Sequence, residues 1–452
     1  GLPRPMPAPT LASLADDLAA GRTTSRALVE ACLARIEDPA GEGARAFVSF
    51  DREKALQAAD AIELLRMSGA APSPFAGFPL ELKDLFDIAG EVTTAGSKAL
   101  AGEPAAAADA VAVARLRRAG FIAIGRANMT EFAFSGLGMN PHYGNPRSPY
   151  DRATGRVSGG STSGGAVAVA DAMAHGALGT DTGGSCRIPA AFCGIVGYKP
   201  TARRVPQDGC VPLSPSLDSI GPLARSVACC ATLDAILAGE TPEPLVPATV
   251  AGLRLAVPTV ALADLAPEVS AAFEKALAAL ETAGALVTRI AVPEFDTIAA
   301  INARGGLTGP ESYAWHRPLL ATKGALYDPR VSVRIRRGEG VGAADYIDNL
   351  AARRDMIARV GARLGAYDAM LLPTAAILPP RIADLATDDE AYGAANIMAL
   401  RNATLINMID GCALSLPLTA PGEAPVGLTV AGLADRDARI FAISAAIEAM
   451  LS

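Results

Sequence analysis

Residues 157–201 read VSGGSTSGGAVAVADAMAHGALGTDTGGSCRIPAAFCGIVGYKPT. Two glycine–serine clusters punctuate this stretch, at 159–165 and 183–185, and core-type apolar runs accompany them at 166–170 and 195–198. A linker of this length would be polar and monotonous. Glycine-rich loops joined to buried elements instead mark a place where backbone approaches a ligand closely. In residues 178–190, LGTDTGGSCRIPA, two glycines precede Ser185, and a helix is expected to open near Arg187. Successive N–H groups at such a turn form an anion-binding nest, the equipment for stabilising a tetrahedral oxyanion. A serine that caps a helix after a glycine turn gives the same pattern, so the residues alone leave both readings open. The 159–165 run, GGSTSGG, lacks the lysine of a phosphate-binding loop, and GxxxxGK[ST] occurs nowhere. A generic Gly/Ser turn is its other reading.

Outward from this stretch, helical periodicity covers 11–20, 25–36 and 53–67, with Thr24 as a cap and Gly21 and Gly69 as stops. A short strand follows at 78–84. A helix over 109–119 leads directly into a strand at 121–125. The alternation argues α/β architecture. Residues 241–260 are rich in proline and read as a connection. Helices are expected over 271–283 and 353–364. The region from about 300 to 350 is the most irregular and polar, and reads as a cover over one face.

The chain has 452 residues, which suggests two or three domains at roughly 150 residues each, although large α/β enzymes run longer as one unit. Half of it is hydrophobic and 19% is charged, the composition of a globular protein rather than a disordered one. A net charge of −7 without a basic block argues against a nucleic-acid partner. The seven cysteines are irregularly spaced, no CxxC occurs, and there are three histidines, which argues against a disulfide framework or a zinc site. Reduced thiols and a cytoplasmic location are expected. The Gly1–Met6 segment has no apolar signal core. The longest apolar stretch, 164–179, contains Asp171 and His175, so no membrane span is expected.

The inventory narrows the chemistry. No GxSxG elbow exists, and three histidines support a Ser-His-Asp triad poorly. Lysine is the informative residue, with six against 34 arginines. A buried lysine can serve as a base because desolvation favours its neutral amine; arginine cannot. Lys54 and Lys275 fall on polar helix faces, and Lys199 precedes Pro200 at an element end. Lys83 alone sits in a mostly apolar run, PLELKDLF. Either it is a base, or it forms an ion pair with Glu81, Asp84 or Asp87.

Taken together, residues 157–201 closely resemble the amidase signature family. The flanks agree: Lys83 in its Leu-Lys-Asp context, GRANMTEF at 125–132, YGNP at 143–146, LDSIGPL at 217–223, residues 368–374 and 407–417, and PVGL at 425–428. The resemblance covers nearly the whole chain. It implies a single large α/β/α domain over 1–452, with a mixed central β-sheet covered by helices on both faces and a signature core at about 75–225. It also implies a Ser–Ser–Lys triad: Ser185 as nucleophile, Ser161 as bridging serine after a cis Gly160–Ser161 peptide, and Lys83 as base. The backbone N–H groups of Thr182, Gly183, Gly184 and Ser185 would form the oxyanion hole, and no metal or cofactor would be required. Thr162-Ser163 departs from the Ser-Gly of many relatives, and Cys186 stands where many have an aliphatic residue. Phe134 and Ser135 would line the acyl side of the substrate site. Tyr313, Trp315 and His316 would line the entrance or else pack in the core.

The expected activity is hydrolysis of the C–N bond of a small amide or carbamate through an acyl-enzyme, with no nucleic-acid or membrane partner and room for a homodimer. The alternative is the glutaminase (A-type) subunit of a tRNA-dependent amidotransferase, which would use the same triad but require partner subunits. The cover region and modest length favour the free-standing enzyme.

Overall fold

The computed structural model describes residues 9–452, so the Gly1–Met6 segment lies outside it. Its sheet contains β1 (Phe47–Phe50), β2 (Pro79–Lys83), β3 (Ile122–Ala127), β4 (Ala177–Asp181), β5 (Val196–Lys199), β6 (Ser219–Ala224), β7 (Arg254–Pro258), β8 (Leu286–Ile290), β9 (Ala369–Pro373), β10 (Cys412–Pro417) and β11 (Gly427–Gly432). Their spatial order is β1-β3-β2-β4-β6-β5-β10-β11-β9-β7-β8. β2 runs parallel to both β3 and β4, and β7 parallel to both β8 and β9, while the strands between these groups pair antiparallel. The sheet is therefore mixed, as expected.

Strand side chains alternate between faces, and the sheet is covered on both. Val196, Tyr198, Ile220, Leu414, Leu428 and Val430 share one core with residues of the helices Val227–Leu237 and Asp437–Leu451. Leu223 and Ala177 join Ala166 and Val167 of the helix Ser163–Ala170 in a second core. Ala413 and Ala431 join Met356 and Val360 of the helix Ala343–Leu364 in a third. This single α/β domain has helices on both sheet faces. Local signals acted as anticipated near the start: Thr24 accepts from Ala27 N–H to open Ser25–Ile36, and Gly21 adopts φ +71°.

Two segments correct the sequence reading. The expected irregular cover is helical, with Thr308–Lys323, Pro329–Arg336 and Ala343–Leu364. The first of these buries Ser312, His316 and Leu320, a mixed set with no apolar period to read, and it carries Pro318 inside. Residues 241–260 are only partly a connection. Pro242, Pro244 and Pro247 precede β7, and Pro258 ends it, where a missing N–H disturbs little.

The register of parallel β2 and β4 sets Glu81 opposite Ala177 and Leu82 opposite Leu178, so β4 runs on past the carboxyl end of β2. Open α/β sheets bind ligands beyond such ends. Glu81 itself is fully buried, and neither carboxylate oxygen has a hydrogen-bond partner. Burial raises its pKa well above the ordinary value, so the folded chain holds it protonated. Below the unfolded value of about 4.3 the group costs nothing pH-dependent; above it, folding loses up to about 1.4 kcal/mol per pH unit until the folded pKa is passed. Replacement of Glu81 by Met, similar in volume and without charge, is expected to raise the urea midpoint at pH 8, with a smaller gain at pH 4. Equal midpoints for the two proteins at pH 8 would contradict this account.

Candidate active site

Lys83 closes β2, and Thr180 lies one residue before the end of β4. Ser161 and Thr162 immediately precede the helix Ser163–Ala170, which packs over these strands. Glycine permits this approach: a Cβ on Gly179 would stand 2.7 Å from Thr162 Cγ2. The Gly160–Ser161 peptide is cis.

Lys83 Nζ lies 2.7 Å from Ser161 Oγ, 2.9 Å from Thr162 Oγ1 and 2.8 Å from Thr180 Oγ1. Lys83 and Ser161 are fully buried. The acids that could have paired with Lys83 do not. Asp84 accepts from Arg126 Nε at 2.7 Å and from Gly96 N–H, Asp87 accepts from Thr93 Oγ1, and Glu81 has no partner. Burial pushes the Lys83 pKa down to about 8, against the opposing pull of the Cys186 and Cys210 thiols and the Asp181 and Asp218 carboxylates. Lys199 is buried too, but its Nζ donates to the Pro200 and Gly411 carbonyls, each at 2.7 Å. Such partners accept protons and give none.

Ser185 sits where β4 turns toward the helix Arg187–Cys193. It is 5% exposed, and its Oγ makes no hydrogen bond among the described residues. Its carbonyl accepts from Thr162 N–H at 3.3 Å, which ties the two serine loops together. Asp181 organises the turn. Oδ1 accepts from Gly184 N–H at 2.9 Å, Arg187 Nη2 at 3.0 Å and Asn407 Nδ2 at 2.8 Å; Oδ2 accepts from Cys186 N–H and Arg187 Nε. Burial alone would raise the Asp181 pKa, but Arg187 and Asn407 hold it below the usual carboxylate range. Thr182 Oγ1 donates to Asp218 Oδ1 at 2.5 Å, and Ser219 Oγ to the Asp181 carbonyl at 2.6 Å.

One expected oxyanion donor needs correction. Gly184 N–H already serves Asp181, which leaves Thr182, Gly183 and Ser185 from the expected set. Phe134 is partly buried, and its carbonyl accepts from Arg334. Ser135 Oγ is fully engaged by Tyr392 OH, Leu137 N–H and Asn396 Oδ1, so no free hydroxyl faces a ligand there. His316 is wholly buried against Phe132 and Tyr327, a core role rather than an entrance one, while Trp315 is 38% exposed. The sequence reading did not single out Thr180, Asp181, Arg187, Asp218 or Asn407 as site residues. A charged pair six residues apart within a glycine-rich apolar run, Asp181 and Arg187, was the one signal available. Asn407 is remote in sequence; its segment, 407–417, is marked by the resemblance, but no role at the site is attached to it.

The Amidase family model matches residues 27–441. The 2-amino-5-chloromuconic acid deaminase of Comamonas testosteroni is 37% identical over 450 residues, covering 98% of this chain and 96% of its own. A crystal structure of an amidase superposes with a TM-score of 0.87 at 33% identity, covering 98% of this chain and all of the other. The A-type subunit of the glutamyl-tRNA(Gln) amidotransferase from Thermotoga maritima gives a TM-score of 0.73 at 29% identity, covering 94% and 91%. Matched along nearly its whole length in both sequence and structure, the chain belongs to the Amidase family, the amidase signature hydrolases of carbon–nitrogen bonds.

Proposed function

We propose that the protein is a free-standing amidohydrolase that cleaves the C–N bond of a small amide or carbamate through an acyl-enzyme on Ser185, with Ser161 and Lys83 as its proton relay. The observation that carries this reading is Lys83 Nζ among three hydroxyls with no carboxylate in reach. The hydroxyl partners are compatible with a neutral amine as well as a charged one. Thr162 Oγ1 donates its own proton to the Thr180 carbonyl at 3.3 Å, so toward Lys83 it accepts. A neutral amine then spends its two N–H groups on Thr162 and Thr180 and turns its lone pair to Ser161. Burial favours that neutral form.

Serine needs a base to become a nucleophile. Lys83 takes the Ser161 proton as Ser161 takes the Ser185 proton, and Ser185 Oγ bonds to the substrate carbonyl carbon. The free N–H groups of Thr182, Gly183 and Ser185 receive the developing oxyanion. They are already aimed and cost little reorganisation. The relay then returns the proton to the nitrogen as the C–N bond breaks. Water attacks the acyl ester and gives its proton to the same relay, releasing the acid and restoring Ser185.

The higher TM-score to the amidase than to the amidotransferase component supports the free-standing reading. The deaminase relative makes 2-amino-5-chloromuconic acid one of the first compounds to assay, beside simple carboxamides. Sedimentation of the purified chain with a glutaminase assay separates the two readings: ammonia release from glutamine only after partner subunits are added would favour the amidotransferase.

Ser185→Ala is expected to lower kcat on the order of 10⁴-fold or more while leaving the thermal midpoint intact. A serine-directed phosphonate should add to Ser185 alone by peptide mass mapping, and labelling elsewhere with activity retained in the alanine variant would sink the assignment.

A second expectation concerns pH. With Lys83 near 8, kcat/KM should fall about tenfold per pH unit below that value, because only the neutral amine accepts the Ser161 proton. Lys83→Ala should remove most activity and flatten this limb. Lys83→Arg should not restore it, since guanidinium keeps its proton; an active arginine variant would refute the base assignment.

A further inference from the structure

The 213–218 turn is built around the Asp218 carboxylate. Oδ2 accepts from Leu213 N–H and Oδ1 from Ser214 N–H, each at 3.0 Å. Oδ1 also receives the Thr182 hydroxyl. Asp218 is thus the only link from this turn to the oxyanion loop among the described residues' side-chain hydrogen bonds. The turn is held from outside by a residue almost a hundred positions on. Glu311, on the helix Thr308–Lys323, takes Ser214 Oγ–H at 3.0 Å and Ser216 N–H at 2.9 Å on Oε1. Its Oε2 takes Tyr346 OH at 2.8 Å, from the helix Ala343–Leu364. No cation lies within 4 Å of Glu311 among the described residues' ion pairs. Its hydrogen bonds therefore go to the turn and to a second helix of the cover, Ala343–Leu364.

Arg353 makes a parallel connection from that second helix. Nη1 donates to the Ser216 carbonyl, Nη2 to the Asn407 carbonyl and Nε to the Met408 carbonyl, at 3.0–3.1 Å. Asn407 in turn donates to Asp181. The cover helices therefore reach the start of the 181–185 loop by two routes, through Asp218 at Thr182 and through Asn407 at Asp181.

We propose that Glu311 is a positioning residue for the hydrolysis: through the 213–218 turn and Asp218 it sets the direction of the Thr182 segment of the oxyanion loop. The inference rests on the assignment of that loop as the oxyanion site. A donor displaced by a fraction of an ångström still lets substrate bind, because the ground-state carbonyl is weakly held. It fails the tetrahedral oxygen, whose stabilisation depends on donor geometry. Loss of Glu311 should therefore act on acylation rather than on the dissociation constant of the bound substrate.

The test uses p-nitrophenyl acetate as the acyl donor and phenylboronic acid, which forms a reversible tetrahedral adduct on an active-site serine. Glu311→Ala is expected to slow the acylation burst roughly ten-fold and to weaken boronate affinity by a similar factor, with the substrate dissociation constant, read from the concentration dependence of the burst rate, near the wild-type value. Glu311→Gln should recover most of both, since its Oε1 still accepts from Ser214 and Ser216. Ser214→Ala, which deletes a single donor, should show a smaller loss in the same direction, and it supplies the measurement if Glu311→Ala does not fold. An unchanged burst rate and boronate affinity in the variants overturn the proposal. So does a burst reduced in amplitude alone, in step with the folded fraction. A wild-type protein with neither burst nor boronate binding sinks the acyl-enzyme reading itself, and the clamp with it.

Discussion

Everything at the site hangs from one buried carboxylate. Asp181 ends β4, and its two oxygens gather Arg187, Asn407 and the backbone N–H groups of Gly184 and Cys186. Taking the Asp181 and Arg187 charges out of water costs several kcal/mol each, and only near-complete pairing offsets it. Here the pairing is near-complete, since Arg187 also donates to the Ala403 carbonyl and to Asn407 Oδ1. The arrangement fixes the turn that presents Ser185. A looser partner set would leave a buried charge uncompensated, so the loop has few alternatives. The same bond that orients the turn occupies Gly184 N–H, which narrows the proposed oxyanion hole to its neighbours.

The lysine cradle solves a different problem. As the proposed base, Lys83 must be buried enough to lose its proton and yet be held in place. Carboxylates would hold Lys83 but keep it charged. Hydroxyls hold it without that effect, because each can accept an N–H and one can give up a proton. Lys199 illustrates the contrast within one fold: equally buried, it faces two carbonyls that can only accept. Burial alone therefore does not mark a base; the proton inventory of its partners does.

What could be read from the chain follows the locality of the physics. Lys83, Ser161 and Ser185 sit in short segments whose residue types carry their own signals, and the helices beginning at Ser25 and ending near Met67 declared themselves by caps and stops. Asp218 and Asn407 act through tertiary contacts, and nothing adjacent to them in sequence says so. The first cover helix misled because its buried positions are Ser312, His316 and Leu320, with His316 set edge-on against Phe132, rather than a continuous apolar stripe. Polarity there reflected specific partners, not disorder.

That polarity has a structural logic. The proposed oxyanion site would gain from dipoles that do not reorganise during reaction, and a short glycine-rich loop cannot supply such rigidity alone. Apolar packing is non-directional, so a helix pressed on the loop by leucines would cover it without aiming it. Hydrogen bonds have direction. Glu311 and Arg353 reach the flanking turns by such bonds, and those turns reach Thr182 and Asp181 by further ones. A polar underside is thus what a cover requires when it must set angles as well as exclude water.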